Sequence, residues 1–203
     1  MKLFSSPATP FGRKATVVLL EAGLQDQIEV VHVAGNAIDP GTMPVEHNPL
    51  GKIPALMCDD GRTIYDSPVI CRYLAELAMP QLYRAGPALW DSLTLEATAD
   101  GIMDAGILMV YETRLRPEAL RYAPWVEGQW AKINRTLDVV EQRWTHHLAG
   151  PLDIGQIAMG CACGHLDLRH ATRNWQEGRP RLVAWWEGFA LRPSMQATKP
   201  PPQ

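Results

Sequence analysis

Hydroxyl groups near the start of the chain are the first residues whose types and spacing suit chemistry. Thr9 stands immediately before Pro10 and a run with helical periodicity, and Ser5 and Ser6 lie a few positions earlier. A hydroxyl at a helix start lies over unpaired backbone N–H groups, and it is able to donate a hydrogen bond to a ligand while it accepts one from the helix. Thr9 is therefore a candidate ligand contact, with a plain N-cap as the alternative. Ser5 and Ser6 are the second choices if the loop folds differently.

Two further groups of candidate residues stand beside prolines. Lys52 and Ile53 precede Pro54, and Asp66 and Ser67 precede a proline at a predicted helix start. Ser67 suits the N-cap position, and a helix N-terminus of this kind is able to hold an anion. The alternative for Lys52 is a solvated loop lysine, and for Pro54 it is a proline that begins an edge strand. For Asp66 and Ser67 the alternative is a well-capped helix that binds no ligand.

The hydrophobic periodicity predicts the elements that must position these residues. A loop rich in Gly, Asn, Pro and Asp separates the first two strands from the next two, and its length suggests a function. The predicted elements are, in order, a strand over residues 2–5, a helix over 10–23, a strand over 28–33, a loop over 35–51 with at most one short helix, strands over 54–57 and 62–65, and a helix from residue 66. With the short helix counted, the order is β-α-β-α-β-β-α.

Every segment after residue 87 has helical periodicity. The predicted helices cover residues 88–112, 117–148, 153–169 and 180–191, and Asp153 with Gln156 fits a capping box at the start of the third. Residues 79–87 contain two prolines and a glycine without periodicity, as is typical of a linker. We therefore expect a first domain over residues 1–78, a linker over 79–87 and an all-α domain over 88–203.

Composition excludes several classes of function. Nineteen basic and 22 acidic residues give a formal net charge of -3, which provides no overall attraction for nucleic acid or an anionic membrane. The N-terminus lacks the sustained apolar segment of a secretory signal peptide, and the longest uncharged apolar stretch is too short to span a bilayer. Four scattered cysteines favour small buried side chains over a metal site or disulfides. We expect a cytoplasmic protein that binds no metal, nucleic acid or membrane.

Three stretches together resemble the glutathione transferase superfamily: SPATPFGRK at the first helix, NPLGKIPAL before the third strand and YDSPVICRYL at the third helix. DIGQIAMGC and RPSMQATKPP in the second half are similar to bacterial members, so the resemblance covers nearly the whole chain. It implies an α+β thioredoxin-like domain that holds glutathione, followed by an all-α helical domain. It also implies a two-fold homodimer.

The resemblance implies a role for each candidate residue. Thr9 would contact the sulfur of glutathione and stabilise its thiolate, although Ser, Tyr or Cys is usual there, and the absence of Cys weighs against disulfide-forming members. Lys52 would bind the glycyl carboxylate of glutathione, and the backbone of Ile53, before a cis Pro54, would bind its cysteinyl backbone. At the γ-glutamyl end, Asp66 would pair with the ammonium and Ser67 would bind the carboxylate. The residues expected to bind glutathione are Phe11, Lys52, Ile53, Pro54, Asp66 and Ser67.

A pocket for a second substrate is expected between the domains. Met103, Ile107 and Tyr111 recur at helical spacing on the segment that faces the sulfur in relatives, with Phe11 as the opposite wall; a stripe of plain core is the alternative. The implied activity is conjugation of the glutathione thiolate to small apolar electrophiles. Glutathione-dependent peroxide reduction or dehalogenation would use the same binding residues, and a non-catalytic binding or regulatory role would keep the fold and lose the sulfur contact.

Overall fold

The first part of the chain forms a four-stranded mixed sheet flanked by two helices. The computed structural model describes residues 1–201. The strands are β1 (Lys2–Ser5), β2 (Glu29–His32), β3 (Ala55–Met57) and β4 (Thr63–Ile64). Their order is β2-β1-β3-β4, with β1 parallel to β2 and antiparallel to β3. Leu3 pairs with Leu56 at the centre of the sheet, and both side chains are fully buried.

Helices α1 (Pro10–Glu21) and α2 (Ser67–Ala78) pack against each other and against this sheet. Both helices carry proline in the first turn, where its missing N–H is not needed. Helix α1 ends in a Schellman motif: Gly23 adopts a positive φ of 67°, the N–H of Leu24 donates to the carbonyl of Leu19, and that of Gly23 donates to Leu20. The predicted stop at Gly23 and the predicted fold class are confirmed.

The short helix expected within residues 35–51 does not form. Instead, side-chain amides and carboxylates fold the segment into successive turns. The Oδ1 atom of Asn36 accepts hydrogen bonds from the N–H groups of Ile38 and Asp39, and the Oδ1 atom of Asn48 accepts one from Leu50. These local bonds satisfy the backbone groups that a helix would have used. The observed order is therefore β-α-β-β-β-α.

The rest of the described chain is helical. The helices are α3 (Ala88–Arg114), α4 (Ala123–Val139), α5 (Thr145–Leu148), α6 (Ile154–Arg169), α7 (Pro180–Ala190) and α8 (Pro193–Ala197), with a π-helical segment over Val140–Trp144 between α4 and α5. Helices α3 and α6 form the central pair. Every residue from Ile154 to Leu166 is buried, so α6 is enclosed by protein over most of its length. None of the helices within residues 1–201 combines the length and hydropathy needed to cross a bilayer.

The helix predicted to begin at residue 117 begins six positions later, at Ala123. Arg121 is extended, with φ -69° and ψ 135°, and the backbone N–H of Tyr122 donates to Oε1 of Glu112 at 2.8 Å. This carboxylate stabilises an extended entry into α4, and Pro124 occupies the first turn. The capping box at Asp153 and Gln156 is confirmed, with both of its reciprocal hydrogen bonds present.

Candidate active site

Thr9 is the N-cap residue of α1, but its hydroxyl does not serve as the cap. The backbone of Thr9 is extended, with φ -93° and ψ 125°, and among residues 1–201 no N–H of α1 makes a cap hydrogen bond to its side chain. The side chain is half-buried, and its backbone N–H donates to the carbonyl of Ser6 at 3.2 Å. The hydroxyl therefore satisfies none of the free N–H groups at the start of α1.

The absence of a side chain at Gly12 leaves space for the side chains of Ser5 and Thr9. A Cβ atom at Gly12 would collide with Oγ of Ser5 and would lie 2.6 Å from Cγ2 of Thr9. Ser5 is buried at the end of β1, with 2% of its surface exposed. Ser6 accepts a long hydrogen bond of 3.4 Å from the N–H of Ala8. Of the three candidate hydroxyls, that of Thr9 lies at the helix start with its residue partly open to solvent.

The segment before β3 is fixed by one asparagine side chain. The Nδ2 atom of Asn48, itself 2% exposed, donates to the carbonyl of Lys52 at 2.8 Å. The side chain of Lys52 is exposed, Ile53 is half-buried, and the Ile53–Pro54 peptide bond is cis, as the resemblance implies. Ile53 precedes the first residue of β3 that pairs with β1. Its backbone therefore lies outside the strand pairs that β3 makes with β1 and β4.

The N-cap of α2 lies one residue earlier than the sequence predicts, at Asp66 and not at Ser67. Asp66 is the N-cap of α2, with its carboxylate accepting from the N–H of Ser67, and Ser67 is the first helical residue. The cause is local, because the backbone of Asp66 is extended and its carboxylate accepts a hydrogen bond from the next N–H, that of Ser67. Asp66 is exposed, whereas Ser67 is 1% exposed.

The hydroxyl of Ser67 has no hydrogen-bond partner within the described part of the chain. A buried hydroxyl without a partner costs about 1–3 kcal/mol, and such groups are uncommon in folded proteins. Ser67 is the first residue of α2 and follows the exposed Asp66, so its hydroxyl belongs to the start of the helix. A polar ligand or a water molecule at this point would satisfy it.

Asp104 is a charged residue near this site that the sequence analysis missed. Its pKa is raised, first by burial and next by the charge of Asp100, while Lys52 acts in the opposite direction; Asp66 also raises it. The charges of Lys52 and Asp66, from the two polar segments of the first domain, therefore both act on the carboxyl group of Asp104 on α3. The signal was present in the spacing, because residues 100 and 104 are one turn apart on the face that also carries Ile107.

The residues predicted to line a second-substrate pocket differ in burial. Met103 is fully buried and belongs to the core cluster, so it presents no surface to a substrate. Ile107 and Tyr111, one and two turns further along α3, are half-buried, as is Phe11 on α1. The alternative of plain core therefore holds for Met103, whereas the other three side chains retain surface.

A small cavity of about 10 Å³ lies beside Thr9, enough for one water molecule. Its walls include Arg13 from α1 and Cys161 and His165 from α6. Arg13 donates from Nη2 to the carbonyl of Met195 at 2.9 Å, which holds α8 against α1. Burial lowers the pKa of His165 to about 3, and its Nε2 has no partner among residues 1–201.

The remaining titratable groups supply no metal site in the described residues. No cluster of three or more His, Cys, Asp or Glu side chains there is placed to hold a metal ion. All four cysteines are buried and unpaired, and burial raises the pKa of the Cys71, Cys161 and Cys163 thiols. These three thiols are therefore held in the protonated form and are poor nucleophiles.

Comparison with known proteins agrees with this architecture. Residues 8–77 match the family model for the N-terminal domain of glutathione S-transferase, and residues 123–187 match the model for its C-terminal domain. The chain is 35% identical to an uncharacterized GST-like protein, YibF, of Escherichia coli strain K12, over 99% of both chains. It is 28% identical to glutathione S-transferase 4 of Zea mays, over 96% of this chain and 89% of that protein.

A solved structure is similar over almost its whole length. It is a glutathione transferase family member from Pseudomonas fluorescens Pf-5 with bound glutathione, at 42% identity and a TM-score of 0.96, and the match covers 98% of each chain. The sheet order, the cis proline before β3, the matched domains and these similarities lead to one conclusion: the chain belongs to the glutathione transferase family.

Proposed function

We propose that this protein is a cytoplasmic glutathione transferase that conjugates the glutathione thiolate to small apolar electrophiles. Glutathione would bind to the thioredoxin-like domain over residues 1–78, and the electrophile would enter the cleft between it and the helical domain over residues 88–203. The observation that carries the proposal is the buried hydroxyl of Ser67, which lacks a partner at the start of α2. The bound glutathione of the Pseudomonas fluorescens relative supports the same ligand.

The γ-glutamyl end of glutathione matches the start of α2. Its carboxylate would accept hydrogen bonds from Oγ of Ser67 and from the helix N–H groups, with the helix dipole assisting. Its ammonium would pair with the exposed carboxylate of Asp66. The cysteinyl backbone would add to Ile53 beside the cis Pro54, which keeps the sulfur near the start of α1.

The other end of glutathione would meet Lys52, whose exposed ammonium suits the glycyl carboxylate. Phe11 would cover the bound tripeptide from α1 and share its other face with the second-substrate pocket. Ile107 and Tyr111 are the remaining pocket candidates, with Met103 as the buried support beneath them. These contacts use groups from both domains, so binding and positioning of the two reactants would occur in one cleft.

Thr9 would stabilise the thiolate. A thiol with a pKa near ~8.5 is only slightly ionised at neutral pH, and lowering that pKa by ~2 units requires about 2.7 kcal/mol of preferential stabilisation. One hydroxyl donor and the N-terminus of α1 are together able to provide it. The hydroxyl of Thr9 is not engaged in capping its own helix, which leaves it available as the donor; Ser5 and Ser6 are the alternatives.

We further propose a two-fold homodimer. Several large apolar side chains are exposed: Leu50 before β3 is 63% exposed, Val69 on α2 53% and Trp90 on α3 68%. A dimer interface would cover such side chains. Light scattering that gives the mass of two chains would support the dimer, and a mass of one chain at micromolar concentration would exclude it.

The test is calorimetric titration with glutathione, combined with the ultraviolet absorbance of the thiolate in the complex. Wild type is expected to bind and to show thiolate at neutral pH. Thr9→Val keeps the shape of the side chain and is expected to bind with a similar affinity but without the thiolate signal. Thr136→Val is the matched control, because the Thr136 hydroxyl bonds within its own helix to the carbonyl of Lys132.

Each failure has a distinct meaning. Wild type that does not bind at millimolar glutathione would overturn the proposed function. Binding without a thiolate signal in wild type would instead favour the binding or regulatory role, which the unusual threonine at position 9 allows. Peroxide reduction and dehalogenation would retain the thiolate signal, and they are distinguished by assaying a hydroperoxide and an alkyl halide beside an aryl halide.

A further inference from the structure

The small cavity beside Thr9 lies between α1 and α6. Its volume of about 10 Å³ suits one water molecule. Besides Thr9, the lining residues whose side chains carry a nitrogen or sulfur atom are Arg13, Cys161 and His165, and the others within the described chain are prolines, an alanine and a leucine. The proposed function uses only the hydroxyl of Thr9 among these four groups.

Arg13 is a buried cation whose charge the described chain leaves uncompensated. It lies one turn after Thr9 on α1, and its residue is 7% exposed. Its Nε atom donates to the hydroxyl of Thr198 at 3.3 Å and its Nη2 atom to the carbonyl of Met195 at 2.9 Å. Neither acceptor carries a charge, and burial lowers the pKa of the guanidinium. Buried charges are normally paired, so an anion that binds nearby would gain from Arg13.

The third nitrogen of the guanidinium, Nη1, faces α6. A Cβ atom at Gly164 would collide with Nη1, so the absence of a side chain there lets the guanidinium approach the helix. Gly164 lies between Cys161 and His165, the two α6 residues with polar atoms at the cavity. Burial raises the pKa of the Cys161 thiol to about 11. This thiol is therefore protonated at neutral pH and gives Arg13 no counter-charge.

His165 supplies a hydrogen-bond acceptor on the α6 wall. Burial lowers its pKa to about 3, so the ring is neutral, and its Nε2 has no partner among residues 1–201. A neutral imidazole has one acceptor nitrogen, whereas a guanidinium has only donors. A water molecule in the cavity would therefore accept a hydrogen bond from Arg13 and donate its two hydrogens to the Thr9 hydroxyl and the His165 ring. These are three hydrogen bonds, the usual number for a buried water.

We propose that Arg13 is a positioning residue that acts on the glutathione sulfur through this water molecule and Thr9. This inference rests on the proposed transferase function and adds a residue to its thiolate-stabilising groups. Arg13 donates to the water, the water donates to Thr9, and the single hydroxyl proton of Thr9 is then donated to the sulfur. Hydrogen bonds that run in one direction polarise one another, so Thr9 becomes a stronger donor. The thiol proton goes to solvent, and this chain stabilises the sulfur anion that remains.

The test is the pKa of the glutathione thiol in the complex, measured from its ultraviolet absorbance as a function of pH. Arg13→Met is expected to raise that pKa by about 1, a 10-fold loss in the thiolate equilibrium. At neutral pH, kcat with an aryl halide should fall by up to about 10-fold. The affinity for S-methylglutathione, which has no thiol, should stay within about twofold, whereas a general disturbance of the site would weaken it.

Arg192→Met is the matched control. Arg192 also joins α8 to α1, because its guanidinium donates to the carboxylate of Glu21 at 3.0 and 2.8 Å, but it does not line the cavity. Its replacement should lower the melting temperature and leave the thiol pKa unchanged. An equal rise of the thiol pKa in both arginine variants would show that Arg13 acts only by holding α8, and would overturn the inference.

A double-mutant cycle tests whether Arg13 acts through Thr9. In the Thr9→Val background the hydroxyl that passes on the effect is missing, so Arg13→Met should change the thiol pKa by less than about 0.3. If Arg13→Met raises the thiol pKa equally in the presence and absence of the Thr9 hydroxyl, the proposed chain of hydrogen bonds is wrong.

A crystal structure of the wild-type complex with glutathione needs no variant, so a substitution that fails to fold does not obscure the answer. We expect one ordered water within about 3.2 Å of both Nη1 of Arg13 and Oγ1 of Thr9. A well-ordered complex without a water that bridges these two atoms would contradict the inference.

The failure of this inference differs from the failure of the proposed function. If wild type lowers the thiol pKa of bound glutathione and Arg13→Met lowers it equally, the role of Arg13 is wrong and the transferase proposal stands. If wild type does not bind glutathione, or binds it without lowering the thiol pKa, both proposals are overturned together.

Discussion

The Nζ atom of Lys14 lies 2.7 and 2.8 Å from the two carboxylate oxygens of Asp100. Lys14 is on α1 and Asp100 on α3, so this ion pair joins the sheet-containing part of the chain to the helical part. Glu96, one turn earlier on α3, accepts a third hydrogen bond at 3.1 Å. Burial alone would lower the pKa of Lys14, but the carboxylates of Asp100 and Glu96 together raise it. The side chain of Lys14 has no exposed surface, so its charge is retained inside the protein.

Replacement of Lys14 by Met should therefore be strongly destabilising. The substitution keeps the length of the side chain but leaves Glu96 and Asp100 facing each other in a buried region without a counter-charge. We expect a loss of about 3–5 kcal/mol in the free energy of unfolding, measured by urea denaturation. Lys132→Met is the control: Lys132 is exposed on α4, its ammonium donates to the amide oxygen of Gln129, and the expected change is below about 0.5 kcal/mol. A similar small change in both variants would contradict the prediction.

Gly12 should tolerate no larger side chain. In Gly12→Ala, the new Cβ would meet Ser5 and the methyl of Thr9, so either the loop before α1 or the helix must shift. We expect a loss of about 1–3 kcal/mol in stability, together with a weaker thiolate signal because Thr9 moves.

Gly128→Ala provides the matched control for this substitution. Gly128 is exposed on α4, and a Cβ there meets nothing within 4 Å. Alanine at that position should raise the free energy of unfolding by about 0.5–1 kcal/mol, because it favours the helix. Equal effects of the two substitutions would show that the contact at Gly12 is unimportant.

Periodicity was sufficient to predict elements whose signals are local. Helix α6 shows this, because its capping box at Asp153 and its buried face are both encoded within adjacent residues. The start of α4 was misplaced because the carboxylate of Glu112 holds the N–H of Tyr122 ten residues away. The short helix predicted within residues 35–51 does not form, because the side chains of Asn36 and Asn48 accept hydrogen bonds from nearby backbone N–H groups. Hydrophobic periodicity does not measure this competition between side chain and helix for the backbone.

In the candidate site, too, short motifs predicted which segments matter but not how their residues are packed. Asp66, Ser67 and the segment before β3 were identified from motifs, yet the change of N-cap from Ser67 to Asp66 depends on backbone angles. The burial of Lys14 depends on Asp100, which is 86 residues away. Met103 was assigned to a pocket stripe although it is fully buried, because helical spacing defines a face without saying how deeply each residue of that face lies. Long-range packing decided these points.

His165 should make the protein less stable as the pH falls. Burial lowers its pKa in the folded protein to about 3, and the positive charge of Arg169 and the neighbouring His170 act in the same direction. Between pH ~6.5 and pH ~3 the unfolded chain binds a proton at this residue while the folded chain does not, so acidification favours unfolding. The stability contributed by the neutral ring is complete above pH ~6.5 and declines through that window.

The pH dependence is measured by urea unfolding at several pH values. Between pH ~6.5 and ~5, wild type should lose about 1–2 kcal/mol more than His165→Gln, which has no titrating group. His165→Asn should follow the Gln variant in slope, even if its absolute stability differs. Parallel curves for wild type and both variants would mean that His165 takes up a proton in the folded protein as it does in the unfolded chain.

Removal of the Ser67 hydroxyl separates a structural role from a ligand-binding role. The Oγ atom is buried and has no partner in the described residues, so Ser67→Ala removes a group that costs free energy in the ligand-free protein. The free energy of unfolding without ligand should therefore stay the same or rise by about 1 kcal/mol, whereas the affinity for glutathione should fall about 10-fold through the loss of one charge-assisted hydrogen bond.

Ser92→Ala is the contrasting variant, because the Ser92 hydroxyl donates to the buried carboxylate of Asp153 at 2.7 Å. It should lower stability by about 1–3 kcal/mol and leave glutathione affinity unchanged. Urea unfolding and calorimetry on both variants make the comparison, and a Ser67→Ala protein that loses stability but binds glutathione normally would assign this hydroxyl to the fold alone.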